Sequence, residues 1–104
     1  MALQHLNQGN YDETLKGYNG ITVVDFFATW CGPCKMFTPI LEQAAVNMPD
    51  VHFYKVDIDE DSSLAERYQI MTVPTLMFFK GGEVVDKSVG VISEDQIKAI
   101  IAKH

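Results

Sequence analysis

The chain is short of the residues that would scatter its chemistry. Only two cysteines occur among 104 residues, so no framework of disulfides can hold the fold together. The three histidines, His5, His52 and His104, lie far apart with no pair at finger spacing, which leaves a four-ligand zinc site without ligands, and no metal is expected. Basic residues are few: 8 Lys and Arg against 14 Asp and Glu give a formal charge of −6. That balance argues against nucleic acid and anionic membranes as partners, since both call for basic patches. No apolar run is long enough to span a bilayer, and the opening Met-Ala-Leu-Gln-His-Leu-Asn has neither a basic leader nor the apolar stretch of a signal peptide. No linker, low-complexity stretch or repeat divides the sequence. One domain over residues 1–104 and a cytoplasmic location are therefore expected. In that compartment thiols are kept reduced, and a close cysteine pair is more often catalytic than structural.

What is present converges on Trp30-Cys31-Gly32-Pro33-Cys34-Lys35, which holds both cysteines. Upstream, Ile21 to Ala28 is a β-branched and aromatic run suited to a strand covered on both faces. Downstream, Met36, Phe37, Ile40, Leu41, Ala44, Ala45 and Met48 recur at helical spacing, predicting a helix from Cys34 to about Asn47. The pair thus sits between the end of a strand and the start of a helix, the edge where functional sites collect in open α/β sheets. A sulfur there faces unpaired backbone N–H groups and the positive end of the helix dipole, both of which favour thiolate. Cys31 is accordingly the expected nucleophile, and Cys34, one turn further in, is expected to be more buried and to resolve. Gly32 allows close approach of backbone to sulfur, and Pro33 belongs in a first helical turn. A purely structural disulfide is the weaker reading, because so short a loop removes only roughly 2 kcal/mol of chain entropy.

Along the rest of the chain, Leu3 to Leu6 is a weak edge-strand candidate, and Asn10-Tyr-Asp-Glu13 has the form of a capping box opening a short helix that Gly17 closes. Pro39 inside the long helix predicts a kink. Val51 to Ile58 is the next strand, and Ser63-Leu-Ala-Glu66 a second capping box with Leu64, Ala65 and Tyr68 on the helix face. Thr75 to Lys80 and Glu83 to Val89, joined by Gly81-Gly82, carry a hairpin signature. Ser93-Glu-Asp-Gln96 then caps a last helix that packs through Ile97, Ile100 and Ile101. The order β-α-β-α-β-α-β-β-α places an antiparallel hairpin on a parallel core: an α/β protein with a mixed sheet.

Some residues sit oddly in this pattern. Asp25 falls inside a strand buried on both faces, where ionisation is costly, so its pKa should be raised. It is either a proton acceptor for the resolving thiol or a buried acid in a salt bridge, and Lys55 is its expected partner under both readings. Pro74 must lie at the beginning of its strand or on an edge. Trp30 is a core filler or a contact surface, its loop position favouring contact. Gly90 supplies a turn or room for a docked peptide.

The motif Trp30 to Lys35, with Val24-Asp25-Phe26 before it and Val73-Pro74-Thr75 and Phe79-Lys80-Gly81-Gly82-Glu83 after it, closely resembles the thioredoxin family. The match runs from Leu3 to Ala102 in size, element order and spacing. The resemblance implies a central five-stranded mixed sheet flanked by four helices, and protein disulfide reduction through a reversible Cys31–Cys34 disulfide recycled by thioredoxin reductase. It makes Cys31 the attacking and Cys34 the resolving cysteine, Asp25 the buried acid, Lys55 the lysine near it, and Pro74 a cis-proline facing the cysteines. Trp30, Gly32, Pro33, Ile58, Val73, Gly90 and Val91 match the family's flat apolar substrate surface. It also implies no bound cofactor, a monomer, and disulfide-containing substrates such as ribonucleotide reductase, peroxiredoxins and methionine sulfoxide reductase. Two departures stand out: Phe27 replaces a second tryptophan, and Met71-Thr72 replaces the Arg-Gly common before the cis-proline, making that surface more apolar.

Overall fold

The computed structural model describes residues 3–104. Its elements are β1 (Gln4–His5), α1 (Tyr11–Lys16), β2 (Ile21–Phe27), α2 (Gly32–Asn47), β3 (His52–Asp57), α3 (Ser62–Arg67), β4 (Thr75–Lys80), β5 (Glu83–Val89) and α4 (Glu94–Ala102). They follow the expected order and form the α/β thioredoxin fold. One five-stranded sheet runs β1-β3-β2-β4-β5, with β1, β3 and β2 parallel and β4 antiparallel to both its neighbours.

The period-two alternation of the strands explains the layering. Val23 of β2, Phe53 of β3 and Leu76 and Phe78 of β4 point to one face, where they pack with Phe37, Leu41 and Ala44 of α2 and Ile97 of α4. Val24, Phe26, Val56, Met77 and Phe79 point to the other and meet Tyr11 and Leu15 of α1 and Leu64 of α3. Both faces of β2 are covered, and its five central residues are buried.

Helix α2 begins two residues earlier than its apolar periodicity suggests. Cys31 is its N-cap, with extended backbone, and the Cys31 sulfur accepts from the Cys34 N–H at 3.1 Å. Gly32 and Pro33 thereby become the first helical residues, where proline lacks a donor that the helix does not use. Met36, counted in the apolar stripe, is exposed; the buried face runs through Cys34, Phe37, Leu41 and Ala44. The helix continues through Pro39 to Asn47.

Of the three capping boxes only Ser93/Gln96 forms, each side chain accepting from the other residue's backbone N–H. Asn10 holds the N-cap position of α1 without a side-chain cap, because its Oδ1 accepts from the Asn7 N–H. Helix α3 starts at Ser62 and not from a Ser63 cap; its N-cap is Asp61, whose carboxylate accepts instead from the Gln8 N–H, 53 residues away. The β4–β5 turn uses Gly81 and Gly82, both at positive φ.

Beyond the C-cap Tyr68 of α3 stands Gln69, at φ 55° the one non-glycine residue with positive φ among the described residues. The Gln69 N–H bonds to the Glu66 carbonyl and the Ile70 N–H to the Ala65 carbonyl, the paired closure of a Schellman motif. A side chain in that conformation costs about 1–2 kcal/mol that glycine avoids. Gln69→Gly is therefore expected to stabilise the fold by about 0.5–1 kcal/mol in urea unfolding, the entropy of glycine offsetting the rest. A lowered midpoint would show that the glutamine side chain carries a role the backbone does not reveal.

Candidate active site

Sheet topology brings four separate segments to one edge. Strands β2 and β3 end there, β4 begins there because it runs the opposite way, and β5 ends there beside β4. Ala28 to Cys31, Ile58 and Asp59, Val73 and Pro74, and Gly90 and Val91 are thus neighbours though they span most of the chain. Backbone bonds tie them together: the Ile58 N–H to the Phe27 carbonyl at 3.0 Å, the Cys31 N–H to the Ala28 carbonyl at 3.2 Å, and the Gly90 N–H to the Pro74 carbonyl at 2.8 Å. Gly90 has φ 91°, and a Cβ added there would meet nothing within 4 Å. Its glycine is needed for conformation, which supports the turn reading, and the open space beside it leaves room for a docked peptide as well.

Cys31 and Cys34 form a disulfide at the head of α2 and pack in a small cluster with Ala28, against which Phe27, Ile58 and Val73 lie. The Val73–Pro74 peptide bond is cis, and the Val73 carbonyl oxygen lies 3.7 Å from the Cys31 sulfur. Cys34 is not appreciably deeper than Cys31, as its place in the helix suggests it should be: the two are 3% and 4% exposed. Residues distant in sequence, Val73 and Ile58, pack against the cysteine cluster, and the Val73 carbonyl lies at the Cys31 sulfur.

Trp30, Gly32, Pro33 and Val91 are exposed, and Ile58, Val73 and Gly90 half-buried; of these, Ile58 and Val73 pack against the cysteine cluster. Trp30 is 69% exposed, which excludes the core-filler reading. Its indole N–H donates to Asp59 Oδ2 at 2.9 Å. Asp59 is held by the buried Asp57, whose Oδ1 accepts the N–H groups of Asp59 at 2.9 Å and Glu60 at 3.3 Å. Neither aspartate stands out in the local sequence pattern.

Asp25 is 2% exposed, on the same sheet face as the buried side of α2, and its Oδ1 has no hydrogen-bond partner. Burial pushes its pKa up to about 7, against a smaller opposing pull from Lys55. Lys55 stands opposite Asp25 in the β2–β3 register. The expected salt bridge does not form: the Lys55 ammonium lies over the Phe27 ring, 5.0 Å from its centroid. Its positive charge finds the quadrupole of the aromatic face and the partial hydration of a cleft more favourable than full burial against the carboxylate. That cleft, of about 280 Å³, is lined by Phe27, Ala28, Thr29, Cys34, Lys35, Thr38 and Lys55, and opens solvent to the inner side of the disulfide. Among the described residues no group of His, Cys, Asp and Glu could hold a metal ion.

A Cys-x-x-Cys disulfide at the head of a helix, with the carbonyl of a cis-proline loop at its outer sulfur, is the arrangement of a dithiol–disulfide oxidoreductase. The chain belongs to the thioredoxin family: residues 2–103 match the family model described as Thioredoxin. It is 43% identical over 102 residues to the thioredoxin of Chlamydia trachomatis, with 98% of each chain covered. To thioredoxin-2 of Saccharomyces cerevisiae it is 43% identical over 104 residues, covering 100% of this chain and 99% of the other. Among solved structures, Plasmodium falciparum thioredoxin superposes with a TM-score of 0.89 at 33% identity, covering 98% and 99% of the two chains. A chain from a study of the thiol resolving mechanism of yeast mitochondrial 1-Cys peroxiredoxin via glutathione/thioredoxin systems gives 0.88 at 32%, covering 98% and 95%. The protein is a thiol–disulfide oxidoreductase with protein disulfide reductase activity.

A raised acid pKa has a stability consequence of definite sign. The unfolded chain ionises Asp25 near 3.8 and the folded chain near 7, so the folded state is penalised progressively as pH rises between those values. At about 1.4 kcal/mol per pH unit the penalty reaches roughly 4 kcal/mol above pH 7. Asp25→Asn removes it. The stability gained over wild type, from urea unfolding of the oxidised proteins, should be least near pH 4, grow toward pH 7 and then level off. A difference that stays flat with pH would mean that the carboxyl is not held neutral by the fold.

Proposed function

We propose that the protein is a general reductase of protein disulfides in which Cys31 attacks, Cys34 resolves and Asp25 takes the resolving proton. The observation that carries this reading is the position of the Cys31 sulfur, which caps α2 through the Cys34 N–H at 3.1 Å. In the reduced protein that N–H and the helix dipole stabilise a thiolate at Cys31. The thiolate forms a bond to one sulfur of a substrate disulfide, the substrate S–S bond breaks, and the other substrate sulfur leaves as thiolate. Cys34 then gives its proton to the Asp25 carboxylate, directly or through water in the adjoining cleft, and attacks the Cys31 sulfur. The mixed disulfide breaks, a second substrate thiolate leaves, and two electrons have passed from the dithiol to the substrate. The product is the Cys31–Cys34 disulfide of the present structure. A group titrating near 7 is suited to accept a proton and release it again at neutral pH.

Trp30, Gly32, Pro33, Ile58, Val73, Gly90 and Val91 form the docking face, with the Val73 backbone pairing to the incoming chain as an added strand does. Lys55 tunes Asp25 through space, and Pro74 holds Val73 over the sulfur. The disulfide is itself the redox group, with no bound cofactor or metal. Thioredoxin reductase, drawing on NADPH, returns the pair to the dithiol, and the protein works as a cytoplasmic monomer. Peroxiredoxins, ribonucleotide reductase and methionine sulfoxide reductase are fitting substrates; the likeness to a chain from a peroxiredoxin study supports the first. No helix among the described residues is long and apolar enough to cross a membrane.

The test is NADPH-coupled reduction of insulin with a thioredoxin reductase, run beside Cys34→Ser. Wild type should turn over, and the variant should stall as a mixed disulfide through Cys31 that dithiothreitol releases. Sustained turnover by the variant would remove Cys34 from the resolving step. Failure of the wild type with chemically reduced protein would remove the reductase assignment itself.

A further inference from the structure

Met71 is 94% exposed, more than any other large apolar side chain among the described residues, in a molecule of formal charge −6. It has no packing role in its own chain to account for it. Its backbone is nonetheless firmly placed. On one side the Schellman closure of α3 at Gln69 is followed by Ile70, which packs on the core beneath α1 and α3. On the other the Thr75 hydroxyl donates to the Thr72 carbonyl at 2.6 Å, and the cis Val73–Pro74 bond follows. Met71 therefore stands on a short, doubly anchored loop two residues from the carbonyl that overlies the Cys31 sulfur.

The segment Ile70 to Thr75 carries no charge. The loop that anchors Trp30 is acidic: Asp59, which holds the indole, and the exposed Glu60 beside it. A substrate chain laid over Cys31 meets a flexible thioether from one loop and carboxylates from another. Such a site gains apolar burial from an aliphatic neighbour of the attacked sulfur and repels an acidic one.

We propose that Met71 is a specificity-determining residue that selects protein disulfides whose attacked cysteine is flanked by an aliphatic side chain over those flanked by a carboxylate. This rests on the reductase reading above. The thioether is long and unbranched, so it adapts to aliphatic groups of different shape, which suits a reductase with several partners. Its contribution is to docking and appears in KM, since it touches neither reacting sulfur.

The experiment uses disulfide peptides identical except for Leu, Gln or Glu next to the cysteine, scanned on either side of it, with the uncharged 2-hydroxyethyl disulfide as a small control. Wild type is expected to favour the Leu over the Glu peptide by about tenfold in kcat/KM, through KM, for one of the two flanks. Met71→Thr should shrink that ratio, and Met71→Arg should bring the Glu peptide level or ahead. Both variants should keep the wild-type rate on 2-hydroxyethyl disulfide and the wild-type Tm, because the side chain is almost wholly in water. Equal kcat/KM across the wild-type series, or the same ratio in the variants, would overturn the assignment of Met71 while leaving the reductase intact. No turnover of 2-hydroxyethyl disulfide by reduced wild type would overturn the reductase reading and this inference with it.

Discussion

The sulfur of Cys31 occupies the place where helices usually put a serine, threonine or aspartate oxygen. Its acceptance of the Cys34 N–H makes one atom serve both as a helix cap and as a reactive group. The first-turn residues follow from that double duty. Gly32 and Pro33 leave the approach to the sulfur free, since a Cβ at Gly32 would meet nothing within 4 Å and proline removes a donor without loss. No acidic residue stands in the first turn of α2, although helix N-termini ordinarily favour one, and a carboxylate there would compete for the field that stabilises the thiolate.

The opposite requirement is met on the inner side of the pair. Asp25 lies where burial opposes charge, and no hydrogen bond to its Oδ1 relieves that cost. A salt bridge to Lys55 would stabilise the carboxylate and lower its pKa, which would weaken it as a base. With the lysine drawn over Phe27, the positive charge acts on Asp25 only through space. The cleft lined by Lys55, Thr38 and Cys34 brings solvent to the inner cysteine while the acid itself stays buried. In the proposed mechanism one cysteine is tuned by dipoles that favour charge, and its partner is served by a base whose burial resists it.

Much of this was legible in the sequence, and the gaps share a cause. The strands, the glycine turn and the Ser93/Gln96 cap depend on residues within a few positions of each other, and all formed as read. The box at Asn10 failed because its side chain bonds to Asn7, and the box at Ser63 because α3 begins at Ser62 with Asp61 at its N-cap, whose carboxylate bonds to Gln8 far along the chain. The start of α2 was misplaced because periodicity counts apolar faces and does not count a sulfur as a cap. The bond from Trp30 to Asp59 spans 29 residues and joins two loops, so no local pattern announces it. Asp25 was the exception, a long-range feature visible because a carboxylate in a fully apolar strand is costly wherever its partner lies.

Burial of both sulfurs couples recognition to chemistry. With both cysteines buried and Val73 and Ile58 packed against them, a substrate disulfide in the proposed mechanism has to displace water from the surrounding surface to reach Cys31. The exposed Trp30, Val91 and Met71 are then more than a sticky patch, since apolar area buried on docking is available only to a partner whose sulfur also reaches the gap beneath the cis-proline loop. Small disulfides gain none of that area and must find the sulfur unaided. A modest preference at each docking position is therefore enough to separate protein disulfides from small ones, because the contributions multiply in kcat/KM while the reacting atoms stay the same.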